Sequence, residues 1–264
     1  LFNSKLNELQ NRKLFFIDRD GTLTINDTAI PGASEFWAKL KDSGKMPFVL
    51  TNNSSRTPEE HAKVMNNIGI PAKKSDILLS TDSCLNEFRK LGIKRIFWLA
   101  NKNVSDYIEY QGFLFDDSEP QALMLTYDDQ ITYSDLVMFS RLVRKGYPYY
   151  ATHIDVVCPT TSGPIPDIGC FIETIAHTTG KHPIKTFGKP ALDLVYPILE
   201  SKNLKFSDAV VIGDRLYTDI SMAAGTELIS ILVLTGETDR SAYEMATTRA
   251  DIIVPSVSSL LEYL

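Results

Sequence analysis

The run Leu14-Phe15-Phe16-Ile17 places four consecutive apolar side chains directly before Asp18-Arg19-Asp20-Gly21. A short apolar run bounded by a charged turn reads as a buried strand, and the glycine marks the turn in which it stops. The design recurs along the chain. Phe48-Val49-Leu50 leads into Thr51-Asn52-Asn53-Ser54-Ser55, and Val210-Val211-Ile212 leads into Gly213-Asp214-Arg215. Polar and charged residues at the ends of buried strands are what an open α/β sheet carries at its ligand crevice.

Helical patterns alternate with these runs. Pro31 opens one that continues through Phe36, Trp37 and Leu40 and ends near Gly44, and Thr57 with Glu60 forms a capping signal for another that ends near Asn67. Ile77-Leu78-Leu79 is a further strand. This order of strand, turn, helix and strand predicts βαβ units and a mostly parallel sheet. The middle of the chain repeats it. Strands are expected at Arg95 to Leu99, Ala122 to Leu125 and Tyr149 to Ala151, with helices at Val104 to Tyr110, Tyr133 to Lys145 and Gly169 to Thr179. Pro159 to Pro166 reads as a shaped loop. The tail returns to the first style, with strands at 208–212, 228–234 and 251–254 and short helices at 221–224 and 257–263. The fold class is therefore α/β: a Rossmann-like, mostly parallel core sheet built from residues 1–81 and 184–264, carrying an inserted α/β domain over residues 82–183.

Composition restricts the function. The 264 residues are 44% hydrophobic and 23% charged with a formal net charge of −6, and no Lys/Arg stripe marks a nucleic-acid polymer as partner. No apolar stretch reaches the roughly 18 residues of a membrane span, and Leu1 to Gln10 lack the apolar core of a secretory signal. Cys84, Cys158 and Cys170 are widely spaced and form no C-x-x-C unit, so a reducing cytoplasm is the simpler expectation. Cys170 beside Gly169 reads as a reactive thiol or, more commonly for a lone cysteine, as a small buried hydrophobe.

The chemistry gathers at the strand ends. Asp18 and Asp20 straddle Arg19, and in a regular strand they would face the same way. Two close carboxylates repel unless a cation joins them, and Mg²⁺ favours oxygen ligands while keeping positions open for phosphate oxygens. The alternative is a pair of turn-capping aspartates. Asp214 follows a second buried strand and would arrive at the same sheet edge. Asp219 and Thr218 either belong to that site or cap the helix that follows. Thr51 ends a strand, and the amides after it could cradle an anion. Lys189 in Gly188-Lys189-Pro190 either reaches the crevice or faces solvent. His153 and His177 show no convincing metal-ligand partners, and His182 reads as linker.

These motifs in this order resemble the haloacid dehalogenase-like hydrolases. Asp18-Arg19-Asp20-Gly21-Thr22 matches the first motif, Thr51-Asn52-Asn53 the second, Lys189 the third, and Gly213-Asp214 with Asp219 the fourth. The resemblance covers nearly the whole chain and is nearest to the NagD and 4-nitrophenylphosphatase branch. It is carried there by Thr51-Asn52-Asn53-Ser54-Ser55, Gly163-Pro164-Ile165-Pro166-Asp167-Ile168-Gly169, Gly188-Lys189-Pro190 and Gly213-Asp214-Arg215-Leu216-Tyr217-Thr218-Asp219. Arg19 departs from that branch, which more often has an apolar residue there. Asp-Arg-Asp-Gly-Thr also resembles small, nearly capless phosphatases of histidinol or heptose phosphates, but the large insertion favours the capped branch.

The resemblance implies a Mg²⁺-dependent phosphatase of small phosphate monoesters acting through an aspartyl-phosphate. In it Asp18 is the nucleophile and Asp20 the general acid/base. Mg²⁺ is held by Asp18, the Asp20 main-chain carbonyl and Asp214, with Asp219 supporting through water. Thr51, the Asn52 amide and Lys189 bind the transferring phosphoryl group. Residues 82–183 form a cap over the crevice, with Asp167 and Gly169 as specificity candidates, although Pro166 to Gly169 also reads as a rigid turn that starts a helix. Nucleotide, sugar, glycerol, phosphoglycolate and pyridoxal phosphates are all substrates of similar proteins, with 4-nitrophenyl phosphate as an artificial one, and a homodimer formed through the cap occurs among them. A phosphotransferase or mutase with the same nucleophile, and a catalytically silent phosphometabolite-binding protein, are the alternatives.

Overall fold

In the computed structural model, which describes residues 2–158 and 163–264, the chain divides into two compact units. The first comprises Leu1–Thr51, Pro58–Leu78 and Lys189–Leu264, and the second Asn52–Thr57 and Leu79–Gly188. These limits differ from the expected 82–183 for local reasons. The 52–57 loop is tied to the second unit, where Ser54 Oγ accepts from the Tyr127 amide at 2.8 Å and Asn101 Nδ2 donates to the Ser55 carbonyl at 2.7 Å. At the other end, Lys185–Thr186 pairs as a strand with Tyr149–Ala151, which carries the unit on to Gly188.

The core sheet has six strands in the order Ile252–Val254, Ile229–Val233, Ala209–Gly213, Leu14–Asp18, Met46–Thr51 and Ile77–Leu79. The pairings from Ile252–Val254 through to Met46–Thr51 are all parallel. Residues of the strand Leu14–Asp18 alternate between two cores. Phe15 and Ile17 pack with Phe36, Trp37, Leu40 and Met65 on one face, while Leu14 and Phe16 pack with Leu194, Val195, Leu199 and Met222 on the other. Apolar residues are needed at every position of a strand covered on both faces, which is why the run in the sequence is unbroken rather than alternating. The helix Ala33–Asp42 buries Ala33, Phe36, Trp37 and Leu40 at helical spacing. From Leu14–Asp18 the chain passes to the strands on one side, Met46–Thr51 and Ile77–Leu79, and after the second unit it returns on the opposite side at Ala209–Gly213. The strand order thus reverses at Leu14–Asp18, the topological switch point where such sheets bind ligands.

The second unit is a smaller version of the same architecture. Five parallel-paired strands run in the order Lys185–Thr186, Tyr149–Ala151, Ala122–Leu125, Arg95–Leu99 and Leu114–Phe115. Ile96 and Trp98 face the helices Ser80–Lys90 and Lys102–Tyr110, whereas Phe97 and Leu99 face Tyr133–Lys145 and Ile168–Thr179. The chain is thus a mostly parallel Rossmann-like core with a separate α/β cap region.

The helix Ser80–Lys90, the hairpin Thr24–Ile25/Thr28–Ala29 and the helices Tyr196–Lys202 and Arg240–Met245 were not expected from the sequence patterns. The expected loop at 159–166 falls partly on residues 159–162, which lie outside the described residues. Its described end forms a strand, Ile165–Pro166, paired antiparallel with Val157–Cys158. Among the described residues, no helix is long and apolar enough to cross a membrane.

Candidate active site

Register brings the acids of the core to one edge. Asp18 pairs with Leu50 on one side, and Ile17 pairs with Ile212 on the other, so Asp18, Thr51 and Gly213-Asp214 emerge at the carboxyl end of adjacent strands. Asp18, Asp214 and Asp219 are all buried, and each offers a carboxylate oxygen within 4.8 Å of the other two. Lys189, also buried, donates to Asp18 Oδ1, and its Nζ lies 2.7 Å from Asp219 Oδ1.

Burial raises the Asp18 and Asp219 pKa values against the opposing pull of Lys189, taking Asp219 to about 6. Asp214 is raised well above the ordinary aspartate value by burial and then by the charges of Asp18 and Asp219. For Lys189, burial works against the ammonium, but Asp18 and Asp219 outweigh it and hold its pKa above the ordinary value. Three buried carboxylates therefore face one ammonium. Arg215, whose Nε lies 3.0 Å from Glu237, also lowers the pKa of all three carboxylates, but more weakly than the other causes.

This donor set fits a hard divalent cation. Asp18 Oδ2 and Asp214 Oδ1 are buried with no hydrogen-bond partner among the described residues. Buried carboxylate oxygens are costly without a donor or a metal, and an all-oxygen set with excess negative charge suits Mg²⁺. The remaining Asp214 oxygen, Oδ2, accepts from the Glu237 amide at 2.6 Å, and Asp219 Oδ2 accepts from the Arg215 amide at 3.1 Å. Asp219 makes no side-chain cap hydrogen bond to the helical turn that follows it.

Asp20 is less buried. Its carboxylate accepts from Thr24 Oγ1 and from Arg19 Nη1, each at 3.2 Å. Arg19, where the branch more often has an apolar residue, is buried and also pairs with Asp27 at the tip of the Thr24–Ala29 hairpin. A basic residue set between two acids at the end of a buried strand was the signal available for it. Thr51 is buried at the end of its strand. Asn52 groups with the second unit, where its Nδ2 lies 3.4 and 3.3 Å from the two Asp155 oxygens. Asp167 and Gly169 also belong to that unit. Asp167 is buried and caps the helix Ile168–Thr179, its Oδ1 accepting from the Ile168 amide at 2.6 Å, while Gly169 donates its amide to the Asp155 carbonyl at 2.8 Å. The structure thus gathers Asp18, Lys189, Asp214 and Asp219, with Asp20 and Thr51 in the same unit, and places Asn52, Asp167 and Gly169 in the other. It also gives His153 the partners that the sequence reading did not find, in a group with Asp155 and Asp167.

Gly213 makes the close approach of Asp219 possible, because a Cβ at that position would overlap the Asp219 carboxylate. Gly213→Ala is expected to displace Asp219 and lower stability by about 1–3 kcal/mol, as overpacking of a tight interior does. Denaturant unfolding checks this, and an unchanged midpoint would refute the packing.

Comparison with known proteins agrees with this geometry. A family model described as haloacid dehalogenase-like hydrolase matches residues 15–114, and a second, HAD-hydrolase-like, matches residues 186–260. The acid sugar phosphatase of Staphylococcus saprophyticus is 29% identical over 238 residues, 89% of this chain and 92% of that protein. Among solved structures, the 4-nitrophenylphosphatase of Thermotoga maritima superposes with a TM-score of 0.92 at 33% identity, covering 97% of this chain and 98% of that one. The glycerol phosphate phosphatase of Mycobacterium tuberculosis, in complex with magnesium, gives 0.86 at 26% identity over 96% of this chain and 77% of that one. With the ordered acids and lysine at the switch point of a parallel sheet and a separate α/β cap, the chain belongs to the haloacid dehalogenase-like hydrolases, in the NagD and 4-nitrophenylphosphatase branch.

Proposed function

We propose that the protein is a Mg²⁺-dependent phosphatase of small phosphate monoesters that works through a phosphoryl group carried on Asp18. The observation that carries this reading is the buried set Asp18, Asp214, Asp219 and Lys189, with carboxylate oxygens that lack donors. Asp18, Asp214 and the Asp20 carbonyl would hold the ion, with Asp219 supporting it through water. When bound, Mg²⁺ neutralises negative charge on the oxygens of the transferring group.

The chain's own residues account for the rest. Lys189 orients the Asp18 carboxylate, one oxygen of which attacks phosphorus. As the phosphorus–oxygen bond to the leaving group breaks, Asp20 donates a proton to that oxygen. Asp20 then removes a proton from the water that attacks the phosphoryl-aspartate, so that inorganic phosphate leaves and Asp18 is regenerated. Thr51, the Asn52 amide and Lys189 bind the transferring oxygens and fix an in-line approach. The cap region selects the leaving group, and Asp167 and Gly169, being buried, act by shaping the segment around them. A small monoester as substrate is supported by the relatives, an acid sugar phosphatase, a 4-nitrophenylphosphatase and a glycerol phosphate phosphatase. The site is assigned to the cytoplasm, where the three cysteines, none of which is in a disulfide, stay reduced.

Chelation followed by restoration tests the reading. Phosphate release from 4-nitrophenyl phosphate is expected to disappear in chelator and return with added Mg²⁺, and Asp214→Ala is expected to bind the ion poorly. Full activity in protein shown by elemental analysis to be metal-free would overturn it.

A further inference from the structure

The second unit contains a cluster that phosphoryl transfer does not use. The strand Tyr149–Ala151 runs into Thr152-His153-Ile154-Asp155, and this segment lies against the start of the helix Ile168–Thr179. The Asp167 amide donates to the Val156 carbonyl at 2.9 Å, and the Gly169 amide to the Asp155 carbonyl at 2.8 Å. A Cβ on Gly169 would come within 2.8 Å of the Ile154 carbonyl oxygen, so only glycine lets the two segments approach this closely. The result is a fixed juxtaposition. His153, Asp155 and Asp167 are all buried, with one potential ligand atom from each lying within 4.8 Å of the other two. His153 Nε2 is 3.4 Å from Asp167 Oδ1.

We propose that His153, Asp155 and Asp167 form a second metal site, one for a first-row transition dication of the zinc type. The donor set decides the class of ion. One imidazole nitrogen and two carboxylates make a borderline set that favours zinc, cobalt or manganese, whereas Asp18, Asp214 and Asp219 offer oxygen alone and suit magnesium. The spacing agrees. Two ligands bound at about 2.0–2.1 Å to a tetrahedral ion lie roughly 3.3 Å apart, and His153 Nε2 and Asp167 Oδ1 are at 3.4 Å. Three protein ligands leave a fourth position open. Asn52 Nδ2, 3.3 Å from Asp155 Oδ2, supplies the kind of outer hydrogen bond that orients a ligating carboxylate. Such an ion would pin the His153 to Asp155 segment to the start of the helix Ile168–Thr179. The inference does not depend on the proposed phosphatase reaction.

The test is Zn²⁺ binding to the full chain, measured by calorimetry and by elemental analysis after gel filtration. It is run on wild-type protein in saturating Mg²⁺ and on Asp214→Ala, whose core site is disabled. Wild type and Asp214→Ala are each expected to take up one equivalent of Zn²⁺. His153→Ala and Asp167→Asn, each combined with Asp214→Ala, are expected to lose affinity by more than the roughly 10–100-fold that removal of an outer partner costs. Co²⁺ bound to wild type is expected to show visible d–d absorption, a readout that stands if the His153 variant fails to fold. No zinc equivalent in wild type, or an undiminished one in a folded His153→Ala, Asp214→Ala protein, overturns the proposal. The first of these outcomes would mean a triad held by hydrogen bonds alone.

Discussion

Replacement of Asp18 by asparagine is expected to reduce turnover by about 10⁴-fold or more, the scale on which loss of a covalent nucleophile is felt. The amide is close in size to the carboxylate but is a poor nucleophile and carries no charge. Asp18→Asn also takes one carboxylate from the buried pair with Lys189, so its turnover is to be measured below the unfolding transition of the variant. Asp20→Asn separates the two half-reactions. An activated ester such as 4-nitrophenyl phosphate needs little help from an acid as it leaves, so phosphoryl transfer to Asp18 persists weakly, whereas hydrolysis of the phosphoenzyme slows by about 10²–10⁴-fold. The intermediate should then accumulate. Borohydride reduction and peptide mass analysis would locate it, and a label on any residue other than Asp18 would reject the mechanism.

Lys189→Ala is expected to lower kcat/KM by about 10²–10³-fold on every phosphomonoester, because it removes a buried donor from the transferring group that all of them share. Two effects have to be separated. Lys189 also pairs with Asp18 and Asp219, and removing one partner of a buried ion pair typically destabilises by about 3–5 kcal/mol. The activity ratio must therefore be measured below the unfolding transition of the variant and in saturating Mg²⁺. Sugar, glycerol, nucleoside and nitrophenyl phosphates serve as four chemically distinct substrates. A loss that differs widely among them would assign Lys189 to leaving-group recognition and defeat the role given to it here.

The core architecture was legible in the sequence, because a strand covered on both faces must be apolar at every position. Leu14 to Ile17, Phe48 to Leu50 and Val210 to Ile212 could be read as parallel strands, and the polar residues after them as a crevice, from that requirement alone. Ordered motifs added Lys189 and Asp219, whose spacing along the chain says nothing of their contact. Weaker signals failed where stability is not local. The helix Ser80–Lys90 begins with four polar residues, and its burial of Cys84, Leu85 and Phe88 depends on a sheet formed by distant strands. Arg19 departs from the apolar residue usual in the branch, and the hairpin that brings Asp27 to it makes it a buried charge.

Which acids meet depends on the packing of distant segments. Asp18, Asp214 and Asp219 are separated by as many as 201 residues and converge because parallel register aligns the ends of Leu14–Asp18 and Ala209–Gly213. Such packing also decides the surroundings of His153. An isolated histidine in the sequence has no partner to be read from spacing. The turn that sets Asp155 and Asp167 beside it exists because Gly169, lacking a Cβ, allows a helix start to press against the Ile154 and Asp155 carbonyls. Local propensity determines which segments become strands and helices, whereas the electrostatics of a buried site depend on contacts between segments that no single stretch of sequence encodes.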